Sequence, residues 1–166
     1  MRNKKMACLM MMCAGLLITN VSDAQRENYE NNRLVERWFK HIADHDTLGL
    51  AMMYADTAII ESPNWEGTKK GPAAIREIYS RYFTTSPDLT HRQVNIFTND
   101  KTIVIEYIFS GTMVDPEKGS PAYMRGKKYT LKACSRMNIE NGKIAAQSYY
   151  FDQVAFLRQV GFFDQK

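Results

Sequence analysis

The chain has 166 residues, with 22 Lys+Arg against 18 Asp+Glu, a formal charge of +4 and three cysteines. That length suits one ordinary domain with a single core, and the absence of a long basic run argues against nucleic acid as a partner. Cys8 and Cys13 sit in the apolar N-terminal run, so Cys134 alone remains beyond it and no intrachain disulfide is expected.

Arg2, Lys4 and Lys5 precede an apolar run over residues 6–18, and Ser22-Asp23-Ala24 puts small residues at minus three and minus one from a cut before Gln25. Charge, length and cleavage pattern predict a secretory signal peptide over residues 1–24. The run is shorter than the roughly 20 residues a membrane-spanning helix requires, so no stable membrane insertion is expected after cleavage; a retained interfacial or membrane anchor is the alternative. Removal takes the formal charge to about +2. It leaves residues 25–166 as one domain with a periplasmic or secreted destination.

Residues 25–32 are polar and Asn-rich and read as a frayed lead-in. Leu34, Val35, Trp38, Phe39, Ile42 and Ala43 recur at helical spacing and predict an amphipathic helix over 31–44. Asp46 or Thr47 caps a short second helix over 48–54, with Leu50, Met53 and Tyr54 inward. Residues 56–62 read as a strand centred on Ile59-Ile60, and 63–67 as a turn and loop. Gly71-Pro72 opens a third helix with Ile75, Ile78, Tyr79, Tyr82 and Phe83 on its apolar face, and Ser86-Pro87-Asp88 stops it.

The period then changes to two. Strands are predicted over 91–98, 102–113, 127–139 and 143–151, with a longer loop over 115–124. Asn99-Asp100 and Asn141-Gly142 read as hairpin turns, the second because both positions tolerate positive φ. A last helix over 153–160 ends at Gly161, placed for a left-handed C-terminal cap. Helices followed by an antiparallel meander argue for an α+β fold with helices on one sheet face.

The ordered motifs carry a family resemblance. Gly142-Lys143-Ile144, Tyr150-Phe151-Asp152 and Gln159-Val160-Gly161 resemble the closing strand and helix of the SnoaL-like polyketide cyclase family, a branch of the NTF2-like (ketosteroid-isomerase-like) superfamily. His45-Asp46 with Tyr54-Ala55-Asp56 is similar to the family's opening. Lys70-Gly71 with Pro72-Ala73-Ala74-Ile75 is similar to its Gly-x-x-x-Ile helix start. Ser110-Gly111-Thr112 matches a Gly-Thr that ends a long strand, although Met113-Val114 departs from the His or second glycine that often follows in the cyclases. The resemblance implies an NTF2-like cone: three N-terminal helices packed on a curved, mixed, mainly antiparallel sheet, with a short C-terminal helix. It also implies cofactor-free cyclase or isomerase chemistry on a small hydrophobic carbonyl compound, with Asp152 as general acid/base. Homodimerisation through the outer sheet face is common in the superfamily.

A curled sheet of this kind encloses an apolar pocket, and Trp38, Tyr54, Trp65, Tyr107, Phe109, Tyr129 and Tyr150 are candidates to line it for a flat hydrophobic molecule. Core packing is the alternative for each. Asp152 has two readings. Buried in such a pocket, its pKa rises and it exchanges a proton with a carbon acid, with Tyr150, Tyr54 or Tyr107 as donor to the enolate oxygen. Placed directly before a helix, its carboxylate instead caps the N–H of Val154 or Ala155, which lowers the pKa. His41 and His45 have a chelating spacing, but no third ligand is evident, so neither metal nor cofactor is expected. His91 opens a strand and reads as an edge position, with a second acid/base role as the alternative; Arg125 and Arg136 read as solvent-facing or as holding a substrate carboxylate, and Glu61 and Glu106 as outward or as a second pocket carboxylate. An enzyme, a non-catalytic periplasmic binding protein for small molecules, and a dimeric interaction module all remain open.

Overall fold

The computed structural model describes residues 23–99, 101–114 and 121–164, so most of the segment read as a signal peptide lies outside the described residues. The elements follow in the order α1 (Asp23–Ala43), α2 (Thr47–Met52), β1 (Tyr54–Glu61), β2 (Lys69–Lys70), α3 (Gly71–Thr85), β3 (Thr90–Asn99), β4 (Thr102–Thr112), β5 (Lys128–Glu140), β6 (Lys143–Phe151) and α4 (Gln153–Gln159). Short 3-10 turns occupy Ala122–Met124 and Phe162–Asp164. Among the described residues no helix is long and apolar enough to cross a membrane.

α1 starts about two turns earlier than its apolar spacing predicts. Its polar first half is held by contacts that periodicity does not reveal. Arg33 donates to the Tyr29 hydroxyl at 3.2 Å, Thr98 of β3 donates to Asn28 Oδ1 at 2.8 Å, and Asn31 is buried. Tertiary contact, more than propensity, stabilises such a segment. From Leu34 onward the predicted apolar face holds, with Leu34, Val35, Trp38 and Ile42 buried.

α2 begins at the expected cap, where Asp46 accepts from the Gly49 N–H at 2.8 Å. It ends before Tyr54, which instead opens β1. The Met53 carbonyl accepts from Ile144 N–H of β6 at 2.9 Å, and that bond takes the chain out of the helix and into the sheet. α3 starts at Gly71 with φ +71, a left-handed conformation that L side chains rarely adopt, and a Cβ there would lie 2.7 Å from the Asp56 carbonyl oxygen.

The six strands form one sheet in the order β2-β1-β6-β5-β4-β3. β1 and β6 pair in parallel and every other pair is antiparallel, giving the mixed, mainly antiparallel sheet. The two-residue β2 is a short edge strand with no sequence signal of its own. Register breaks between Tyr54/Ile59, Gln93/Asn95 and Asn138/Ile139 bend the strands. Asn141 (φ 51) and Gly142 (φ 73) make the tight turn between β5 and β6, and Gly161 (φ 83) terminates α4. Asp100, in the other predicted turn, lies outside the described residues.

Alternation assigns the faces. On β4 and β5, Ile103, Ile105, Tyr107, Phe109, Tyr129, Leu131, Ser135 and Met137 are buried toward the helices. Glu106, Lys128, Lys132 and Arg136 point the other way and are exposed. α1 packs on β3, and α3 on β1 and α2.

Candidate functional site

The inner face of the sheet and α3 enclose a cavity of about 240 Å³. β4 contributes Tyr107 and Phe109; β6 contributes Gln147, Tyr149 and Phe151; α3 contributes Ile75, Ile78, Tyr79, Arg81 and Tyr82. Trp65 enters from the loop after β1, His91 from the start of β3, Tyr129 from β5 and Phe156 from α4.

The aromatic rings form a continuous wall. His91 stacks on Tyr107 at 5.1 Å and on Phe109 at 5.8 Å between ring centroids. Tyr107 stacks on Tyr149 at 6.2 Å. Phe151 meets Phe109 edge-on at 5.7 Å, and Phe156 meets Tyr129 at 5.4 Å. Such offset and edge contacts are the preferred arrangements of aromatic quadrupoles.

Behind the wall runs a buried hydrogen-bond chain. The Trp38 indole N–H donates to the Tyr54 hydroxyl at 3.3 Å, and that hydroxyl donates to Gln147 Oε1 at 2.5 Å. Gln147 Nε2 donates to Ser135 Oγ at 2.9 Å, and Ser135 Oγ lies 3.4 Å from the Tyr107 hydroxyl. Polar groups excluded from water are thereby paired, as burial requires. At the opposite end the Tyr129 hydroxyl donates to Ser86 Oγ at 3.0 Å.

Burial keeps the tyrosines and the histidine uncharged. It pushes the Tyr54, Tyr79, Tyr107 and Tyr149 hydroxyls well above their ordinary value, so all stay protonated at neutral pH. It pulls His91 down to about 3, so the imidazole is neutral. The Arg81 guanidinium lies over the Tyr82 ring, 5.2 Å from its centroid, and Asn64 donates to the Tyr82 hydroxyl at 2.7 Å. Trp65 Nε1 and His91 Nδ1 are buried polar atoms of cavity-lining residues with no hydrogen-bond partner.

Trp65, Tyr107, Phe109 and Tyr129 line the cavity. Trp38 and Tyr54, both 0 % exposed, do not reach it and form the supporting chain behind it. Tyr150 lies on the outer face opposite Cys134 and is 56 % exposed, so it supplies no donor to the cavity. Asp152 is exposed, and its Oδ1 accepts from the Ala155 N–H at 2.9 Å as the cap of α4. The helix-cap reading describes that position, not the pocket-facing one. His41 Nδ1 lies 2.9 Å from Asp46 Oδ2, and His45 stacks on Phe83 at 4.1 Å, so the two histidines do not converge. Among the described residues no group of His, Cys, Asp and Glu side chains is arranged to hold a metal ion.

Tyr149 and Gln147 were not singled out by sequence reasoning, and His91, read there as an edge position, lines the cavity. The available signal was strand phase: Tyr107 and Phe109 face inward, and the antiparallel register of β4, β5 and β6 then carries Tyr149 and Phe151 to the same side.

The profile of the SnoaL-like domain family matches residues 35–147. TsrD from Streptomyces laurentii is similar in structure, with 22% identity, a TM-score of 0.69, and 80% of this chain and 96% of that one covered. A protein of ketosteroid isomerase-like fold from Catenulispora acidiphila, solved in complex with trimethylamine, gives 15% identity, a TM-score of 0.64 and coverage of 77% and 92%. TerC, co-crystallised with polyporic acid, gives 18% identity, a TM-score of 0.64 and coverage of 79% and 98%. At these identities the likenesses show the fold, which is NTF2-like and ketosteroid-isomerase-like. No curated protein matches the chain.

Proposed function

Because the chain belongs to the SnoaL-like domain family, we propose that it binds one small, flat, hydrophobic carbonyl compound in the cavity on the inner face of its sheet. The observation that carries this reading is the chemistry of the wall: stacked aromatic rings, protonated tyrosine hydroxyls and a neutral imidazole. Such a wall takes the body of a flat ring system, and its hydroxyls can donate to a carbonyl oxygen. The Arg81 guanidinium at the cavity disfavours a cationic ligand. An apolar cavity of about 150 Å³ accepts benzene, so one of about 240 Å³ has room for two fused rings. TerC and the Catenulispora protein, each solved with a small organic molecule, support a ligand-binding role for this fold. The reading calls for neither cofactor nor metal.

The test is a titration with 1-tetralone, a two-ring ketone, followed by NMR. Saturable shifts at Tyr107, Phe109 and Tyr149, with outer-face residues such as Lys132 unmoved, are expected. Shifts that never saturate, or that fall on the outer face, overturn the reading.

A second reading, cofactor-free cyclase or isomerase chemistry, draws support from a neutral imidazole and tyrosine hydroxyls sharing one apolar cavity. Asp152 stays outside it, because its carboxylate is engaged at α4. Exchange of the tetralone α-hydrogens in D2O faster than in buffer alone is the expected sign. Exchange at the buffer rate leaves binding without turnover. The signal-peptide pattern over residues 1–24 supports a periplasmic or secreted site of action. Exposed Phe97 and Tyr150 on the outer face support a homodimer, which sedimentation would reveal.

A further inference from the structure

The buried side-chain chain behind the cavity is fully paired, which makes Trp65 Nε1 and His91 Nδ1 informative. Buried polar atoms in native proteins nearly always have partners, and those without one point to something that supplies it. Trp65 Nε1 and His91 Nδ1 are both buried, both belong to residues lining the same cavity, and neither has a partner.

Their placement is directional. Trp65 follows β1, near one edge of the sheet, and His91 lies on β3, the opposite edge strand. Both side chains nevertheless line the same cavity, although their strands stand on opposite sides of the sheet order. Their chemistry also differs. An indole N–H can only donate, so it calls for an acceptor such as a carbonyl oxygen. A neutral imidazole presents a donor on one nitrogen and an acceptor on the other, so it matches a hydroxyl in either tautomer. Tyr107 and Phe109 hold the imidazole plane by stacking, which fixes where that hydroxyl must lie.

We infer that the ligand is a hydroxy-ketone with its two polar groups at opposite ends of a flat ring body, the carbonyl oxygen accepting from Trp65 Nε1–H and the hydroxyl bonding to the His91 ring. This rests on the binding reading above and adds the polar substitution pattern to it. Trp65 and His91 are then specificity residues, while the aromatic wall provides affinity without discriminating among ring substituents.

The test compares four probes by calorimetry: tetralin, 1-tetralone, 6-hydroxytetralin and 6-hydroxy-1-tetralone. Each polar group is expected to tighten binding about tenfold over tetralin. Trp65→Phe removes the gain from the carbonyl and keeps that from the hydroxyl; His91→Phe does the reverse. Each gain is read against the same variant's own tetralin affinity, and the dispersion of each variant's NMR spectrum certifies its fold. A wild-type measurement stands beside the variants: the Trp65 indole proton resonance shifts with 1-tetralone but not with tetralin, and the His91 ring nitrogens shift only with the hydroxylated probes. If tetralin binds and the polar groups add nothing, or if their gains survive both substitutions, the inference falls and the binding reading stands. If no probe binds the wild-type protein, both fall.

Discussion

The Tyr54 hydroxyl and Gln147 Oε1 are joined by a 2.5 Å hydrogen bond between the first residue of β1 and the middle of β6. The two strands run parallel, and this side-chain bond links them on the inner face, beneath the aromatic wall of the cavity. Gln147 is itself a cavity-lining residue, so the bond couples the floor of the site to the α1 side through Trp38.

Removing the hydroxyl with Tyr54→Phe leaves both the Gln147 acceptor and the Trp38 N–H without their partner. A loss of about 1–3 kcal/mol is expected, seen in urea unfolding as a lower midpoint with an unchanged slope. Tyr54→Phe with Gln147→Leu is expected to lose less than the sum of the single changes, because replacing both partners leaves fewer orphaned groups. Strict additivity would mean that the bond carries no coupling.

Asp152 caps α4, and its role separates by substitution. Asp152→Ala is expected to destabilise by about 1 kcal/mol, and Asp152→Asn by only a few tenths, since asparagine caps as well. Neither change alters binding of 1-tetralone. A loss of binding in Asp152→Asn at unchanged stability would put this carboxylate in the site after all.

Gly71 and Gly67 both have positive φ, +71 and +74, but only Gly71 has backbone within reach of an added Cβ, the Asp56 carbonyl oxygen at 2.7 Å. Gly67→Ala is expected to cost about 1–2 kcal/mol from backbone conformation alone. Gly71→Ala adds a contact that neither backbone can relieve cheaply, and a loss well beyond that of Gly67→Ala is expected in parallel thermal melts.

His91 gives stability a pH dependence in an uncommon window. Burial lowers its folded pKa from 6.5 to about 3, so between those values the unfolded chain binds the extra proton. Stability from this group is full above pH 6.5 and falls as pH drops toward 3, by up to about 1.4 kcal/mol per unit. Asp88 works lower on the scale. The Thr112 hydroxyl and N–H hold its pKa below 3.8, so its contribution is lost only as pH falls through the carboxylate range. His91→Gln is expected to flatten the pH dependence of unfolding between 6.5 and 4 while leaving the acid limb below it. An unchanged slope in that range would show that the imidazole is not desolvated.

The fold was largely legible because its punctuation is local. Asn141-Gly142, Gly161 and Gly71-Pro72 fix a hairpin, a helix end and a helix start through backbone conformations that few residues adopt. The site was less legible because its residues are chosen by strand phase. Tyr149, Tyr150 and Phe151 are consecutive aromatics, so alternation permits two facings, and only the pairing of Ser135 with Tyr149 and of Cys134 with Tyr150 decides between them. The resemblance drew attention to Tyr150 and Asp152, whereas the register placed Tyr149 inward. The start of α1 and the placement of Tyr54 depended on bonds to β3 and β6, distant in sequence and invisible to periodicity.

The position of β6 has a kinetic consequence. The last strand of this sheet in chain order sits between β1 and β5, so the sheet stays in two pieces until residues 143–151 are available. The β3-β4-β5 meander can form early from near neighbours, but β1, paired on one side with the two-residue β2, must wait for its other partner some 90 positions away. The arrival of β6 between the two pieces is then the event expected to limit folding. A nascent chain short of Phe151 exposes the open edges of β1 and β5, which makes it the species most prone to aggregate.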